Sequence, residues 1–183
     1  MEWILQMDNA ILNGIQQIRT GFGDWFMPLV TKLGDAGIIW ILLTVVLLCF
    51  RKTRKAGVAM AIGLIVNLIF CNLLIKPLVG RIRPFEANGF TDLLVSPPKD
   101  PSFPSGHSSA SFAAASALFL YYKKWGIAAL LLASLIAFSR LYLYVHYPTD
   151  VFCGILLGIV SGLLGGYVQY RWYQFRQKNA SNL

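Results

Sequence analysis

The chain holds two histidines, His107 and His146, and each stands among residues suited to phosphate chemistry. His107 closes the run Pro104-Ser105-Gly106-His107, where a polar, proline-rich loop gives way to an apolar segment of small residues. That placement predicts a helix N-terminus, whose unpaired N–H groups and positive dipole end suit an anion. His146 lies four residues before Asp150 and follows Ser139 and Arg140. A third cluster, Lys76 with Arg83 and Pro84, falls at the end of an apolar segment.

These residue types together can perform phosphoryl transfer. The transferring group spreads negative charge over its equatorial oxygens and needs cations placed in advance. Arginine supplies a planar fork matched to phosphate, and lysine supplies a point charge. An imidazole serves as nucleophile or as general acid near neutral pH. A hydrogen bond from Asp150 to one ring nitrogen of His146 would fix its tautomer and free the other nitrogen to attack.

The elements that must position these groups are membrane helices. Hydrophobic residues make up 56% of the chain and charged residues 13%, against about 25% charged in a soluble domain. Mean hydropathy is +0.59. The expected fold is all-α, a polytopic helical membrane bundle forming one domain over residues 1–183. Five clear spans are expected, at Ala36–Phe50, Ala56–Ile75, His107–Tyr122, Trp125–Phe138 and Val151–Tyr170. The first of these is short against the ~20 residues a bilayer needs, so its flanks must contribute. Residues 1–34 read as interfacial or irregular. Trp3, Ile4, Met7, Ile11, Leu12, Ile15 and Ile18 recur at helical spacing, and Gly21 and Gly23 are expected to end that helix. A second short piece, Asp24–Leu33 with Pro28, is expected to lie in the interface or half-inserted, or one of the two pieces crosses as an irregular first span. The stretch 171–183 is expected to be a tail.

The net charge of +8 fits basic cytoplasmic loops and anionic lipid better than nucleic acid. Basic clusters at 51–55, 123–124 and 171–178 fall at alternate span ends, which assigns them, and the C-terminus, to the cytoplasm. The loops 76–106 and 139–150 then share the extracytoplasmic side, and both histidines with them. Cys49, Cys71 and Cys153 have neither metal-ligand nor disulfide spacing and are expected to pack. Gly154, Gly158, Gly162 and Gly166 form a stripe that lets helices approach closely, within one chain or between copies. Asn67 and Asn72 are expected to hydrogen-bond between helices.

The pattern Lys-x6-Arg-Pro, then Pro-Ser-Gly-His, then Ser-Arg-x5-His-x3-Asp resembles the three-part signature of the type 2 phosphatidic acid phosphatase (PAP2) family. All three parts are complete in type, spacing and order over residues 76–150. The departure is at the N-terminus, where the first of the family's usual six spans is not obvious. The resemblance implies a six-helix core and a lipid phosphatase that works without a metal or other cofactor. It implies that His146 is the nucleophile, forming a phosphohistidine, that Asp150 orients it, and that His107 protonates the leaving oxygen. Lys76, Arg83, Ser105, Gly106 and Arg140 would bind the phosphate, while Ser139 matches the signature without an assigned role.

The substrate expected from this resemblance is a phosphorylated membrane lipid, with undecaprenyl diphosphate placed first. Phosphatidylglycerol phosphate and phosphatidic acid are the alternatives. A reading from another class is a lipid-headgroup transporter or scramblase that binds phosphate without cleaving it. That class favours charges at the bilayer midplane, whereas this chain keeps its charges near span ends.

Overall fold

A computed structural model describes residues 2–180 and contains, among them, helices and no strand. The long helices are α1 (Glu2–Gln17), α2 (Gly21–Gly34), α3 (Ile38–Cys49), α4 (Arg54–Asn67), α5 (Gly106–Tyr121), α6 (Lys123–Tyr142) and α7 (Pro148–Ala180). Because α2 and α3 run on as one kinked segment, these long helices make six members among the described residues.

Among the described residues, four segments are long and apolar enough to cross a membrane: Gly21–Cys49, Arg54–Ala87, Lys123–Tyr142 and Pro148–Asn179. The expected count of five clear spans is therefore one too high. The expected span missing from this set, His107–Tyr122, is α5, whose 16 residues fall short of the ~20 that cross a bilayer unaided. It can be short and rich in Ala and Ser because it is the bundle's centre, enclosed by α4, α6 and α7. Outward faces elsewhere are apolar, with Leu42, Val46, Leu73, Leu131, Phe152 and Val160 exposed where lipid would lie.

The glycine stripe packs within the chain. A Cβ at Gly154 would stand 2.7 Å from the Ser105 carbonyl oxygen, and at Gly158 or Gly162 only 2.4 Å from those of Ser109 and Ala113. Only glycine lets α7 lie this close to α5, and small residues at such contacts are how membrane helices associate. Gly165 does the same against α4, with a Cβ placed 2.3 Å from the Ala59 oxygen. Cys71 packs beside Ser109, and all three cysteines are free. Asn67 is buried with Oδ1 lacking a hydrogen-bond partner, contrary to its expected role, and Asn72 lines the cavity described below.

The N-terminal third departs from expectation at the start of α2. Gly21 and Gly23 do not end α1; they begin α2, because the Thr20 hydroxyl accepts the Gly23 N–H and caps a new helix. Asp24–Leu33 follows the second of its two expected readings, an irregular first span and no separate interfacial piece, since α2 continues into α3 to form the 29-residue candidate span Gly21–Cys49. A kink joins the halves, with Ala36 at φ 50° and Gly37 at φ 68°. The helix expected over the first residues is present as α1, which turns Asp8 and Leu12 inward and leaves Trp3, Met7 and Ile11 exposed.

The expected tail is helical through Ala180, a continuation of α7; residues 181–183 lie outside the described residues. The basic clusters meet at one end of the bundle. The Tyr122 hydroxyl donates to the Lys52 carbonyl, and the Lys55 ammonium lies over the Tyr173 ring.

Candidate active site

Three local structures bring the chemistry to the opposite end. The helix α4 widens into π-type turns over Leu68–Ile75 and carries Lys76 in a final turn, where it is buried. Such widened turns recur at functional sites. The Ser105 side chain caps α5, accepting from the Ser108 N–H, so Gly106 and His107 fall in its first turn. A Cβ at Gly106 would meet Asn72 Oδ1 at 3.3 Å, so a side chain there would crowd the wall. After α6 the chain reverses at Tyr144, which adopts a left-handed φ of 59°. Its ring stacks on Phe90 at 4.4 Å and its hydroxyl bonds Asn13 and Asn88. These contacts hold the strained turn that aims His146 inward.

Lys76, Arg83, Gly106, His107, Arg140 and His146 line one cavity of about 1170 Å³. The other two expected residues do not line it. Asp150 sits behind His146, fully buried. Ser105 is also fully buried, with its hydroxyl 2.9 Å from Ser108 Oγ, so it serves the helix cap. Its N–H donates to the Asp150 carbonyl at 3.0 Å and ties the two signature loops together.

His146 has a defined orientation. Its Nε2 lies 3.2 Å from Arg83 Nη1. A guanidinium can only donate, so Nε2 accepts and the ring proton resides on Nδ1. Nδ1 faces Asp150 Oδ2 at 3.6 Å, too long for the direct hydrogen bond expected from sequence. The Ser102 hydroxyl, 3.4 Å from Nδ1, bridges the pair by donating to Asp150 Oδ2. Burial, reinforced by the Arg83, Arg140 and Lys76 cations, holds the His146 imidazole well below its usual pKa. The ring is therefore neutral near pH 7, with a lone pair on the cavity side.

The cations surround that lone pair. Arg83 also donates to the Val145 and Asp100 carbonyls and to Asp100 Oδ1 at 2.9 Å. Lys76 Nζ pairs with Asp100 Oδ2 and donates to the Pro101 carbonyl. Burial opposes ionisation of Asp100, but the Lys76 hydrogen bond and the two cations bring its pKa down to about 2. Arg140 donates to Thr31 Oγ1, and its buried Nε has no hydrogen-bond partner among the described residues. His107 Nε2 lies 2.9 Å from Asp35 Oδ1, at the kink between α2 and α3. Among the described residues, no group of three or more His, Cys, Asp or Glu side chains is placed to hold a metal ion.

Asp35, Ser102, Asp8 and the pairing of Arg81 with Asp150 were not read from the sequence. Arg81 was visible as a cation against the charge rule, and Asp8 as an acid on an apolar helix. Ser102 sits in a proline-rich loop and gave no signal.

A helical membrane bundle with two histidines and three cations on one cavity defines a multi-pass membrane phosphatase. Residues 52–177 match the PAP2 superfamily, and the chain belongs to it. An undecaprenyl-diphosphatase from Sulfolobus acidocaldarius is 37% identical over 150 residues, covering 81% of this chain and 66% of that protein. A lipid A 4'-phosphatase from Bacteroides thetaiotaomicron is 30% identical over 185 residues, 93% of this chain and 80% of its own. The crystal structure of a transmembrane PAP2-type phosphatidylglycerolphosphate phosphatase from Bacillus subtilis superposes with a TM-score of 0.77 at 26% identity. That superposition covers 93% of this chain and 88% of the other.

Proposed function

We propose that the chain, acting as one domain, hydrolyses a phosphate or diphosphate group from a membrane lipid, with undecaprenyl diphosphate the leading substrate. The observation that carries this reading is the shape of the cavity. From the histidines and cations it extends along Ile41, Thr44, Val45 and Leu48 of α3 and Ala61, Leu64, Ile65 and Leu68 of α4. A polar head with an apolar lane between two membrane helices fits a phosphorylated lipid, whose tail stays in the bilayer. A transporter would need an exit on the other face, whereas α3 and α4 close at Gly57, where a Cβ would meet Leu48 N at 2.9 Å.

Arg83 Nη1 turns its N–H from His146 Nε2 to the phosphate oxygens. The freed Nε2 attacks phosphorus, the phosphorus–oxygen bond to the lipid breaks, and His107 gives its proton to the leaving oxygen. Lys76, Arg83, Arg140 and the start of α5 stabilise the equatorial oxygens. His107 then takes a proton from water, which attacks the phosphohistidine and releases inorganic phosphate. Asp150 and Ser102 hold the His146 ring throughout. The basic clusters at the far end support a reading with the site on the extracytoplasmic face and the C-terminus in the cytoplasm.

The test is phosphate release by purified protein in detergent with EDTA, offering undecaprenyl diphosphate, phosphatidylglycerol phosphate, phosphatidic acid and a lipid A phosphate. Release from one of these, absent in His146→Ala, is expected. Turnover by His146→Ala would sink the mechanism.

A further inference from the structure

We propose that Arg81, held in place by Asp8 of α1, is a positioning residue that fixes the Asp150 carboxylate behind His146. The inference rests on the reading of His146 and Asp150 as the nucleophile and its partner.

Arg81 Nη1 donates to Asp150 Oδ1 at 2.6 Å and to Thr149 Oγ1 at 2.8 Å. Its Nη2 donates to Asp8 Oδ2 at 2.8 Å. The guanidinium carbon lies over the Tyr147 ring, 3.9 Å from its centre. One planar fork thus bridges two carboxylates that are both fully buried. Asp8 is held in turn by the Thr149 N–H at 2.9 Å and the Thr149 hydroxyl at 2.6 Å.

The consequence for Asp150 follows from counting its donors. Oδ1 receives Arg81, and Oδ2 receives the Tyr147 N–H and the Ser102 hydroxyl. With both oxygens engaged the carboxylate cannot rotate without breaking a hydrogen bond. Arg81 lies on the face of Asp150 away from His146, so it sets orientation and charge without touching substrate. Asp8 offsets the guanidinium, so that Arg81 does not fully neutralise Asp150. The N-terminal helix thereby becomes part of the apparatus around the nucleophile.

Because the chain has two histidines, uniform 15N-histidine labelling reads both rings, and His146→Ala assigns them. Phosphate release from undecaprenyl diphosphate is measured on the same full-length samples. The charges facing His146 are Arg83, Lys76, Arg140 and Asp150, with His107 across the cavity. Against that constant background, Arg81→Gln removes a positive charge behind Asp150 and raises the pH at which His146 protonates. Asp8→Asn removes a negative charge, keeps an acceptor for Thr149, and lowers it. In Arg81→Gln, kcat falls about 10- to 100-fold with KM within about twofold, as misplacement of a catalytic group does. Arg81→Lys recovers part of that loss.

A folded Arg81→Gln or Asp8→Asn protein with wild-type His146 titration and kcat overturns the proposal. So does a fall in kcat that tracks only the folded fraction, with the titration unmoved. If Arg81→Gln does not fold, Arg81→Lys and Asp8→Asn carry the same readouts. Absence of turnover in the wild type would count against the phosphatase reading, while the titration still decides the relay.

Discussion

Asp35 Oδ1 lies 2.9 Å from His107 Nε2, although the two residues are 72 positions apart and belong to different helical segments. The contact exists because the kink at Ala36 and Gly37 redirects α3 and leaves Asp35 at the cavity wall. An imidazole held through one nitrogen presents the other in a fixed direction.

Asp35→Asn is therefore expected to lower kcat about 10- to 100-fold while leaving KM nearly unchanged, as loss of an oriented general acid does. A substrate with a more acidic leaving group should recover much of the loss. Equal loss for both substrates would show that Asp35 serves folding alone.

The pH dependence follows from the environment of His146. Burial and the neighbouring cations lower its pKa, so the neutral nucleophile persists as pH falls past 6.5. The acid limb of kcat/KM, which reports the free enzyme, should lie below 6.5. Arg83→Gln removes a cation beside Nε2 and should move that limb upward. A limb at or above 6.5 in the wild type would contradict the assignment.

Asp100 bridges Lys76 and Arg83, where a phosphate would bind. Asp100→Asn should free both cations and tighten competitive inhibition by inorganic phosphate about 10-fold, or about 1.4 kcal/mol. The pairing also has a pH signature. With a pKa brought down to about 2, its contribution to stability is complete above the usual carboxylate value near 4. It is lost only as pH falls through about 2. Unchanged or weaker phosphate inhibition in Asp100→Asn would show that the carboxylate helps to build the anion site.

Arg140 Nε is buried without a partner among the described residues, and an unpaired buried donor is costly. Orthovanadate or phosphate should satisfy it and raise the melting temperature in detergent. At 100 times Kd the stabilisation is about 2.7 kcal/mol. Arg140→Gln should lose most of this shift while remaining folded, and an equal shift in the variant would place the anion elsewhere.

Gly158→Ala puts a methyl group 2.4 Å from the Ser109 carbonyl oxygen and 2.9 Å from Phe112 Cβ. The helices α5 and α7 must separate, at a cost of about 1–3 kcal/mol. His107 sits at the start of α5, so activity should fall together with thermal stability. Wild-type stability would mean that the close approach is not required.

Sequence alone determined the membrane class, the residues that converge and their shared end of the bundle. Apolar runs, basic clusters and motif spacing are local properties, and a membrane allows only a few ways to satisfy them. Gly154, Gly158 and Gly162 announced a close helix contact for the same reason. What sequence could not decide depends on distant residues meeting. Asp8 lies 141 positions from Thr149, and Asp35 lies 72 from His107; no local pattern links either pair. The path of the first span was hidden because the kink at Ala36 and Gly37 depends on how α3 packs. The cap formed by Ser105 and the bridge formed by Ser102 depend on where single hydroxyls point, and packing sets that. Tertiary structure therefore decided which charges neutralise one another, because Coulomb interactions depend on distance through space and not along the chain.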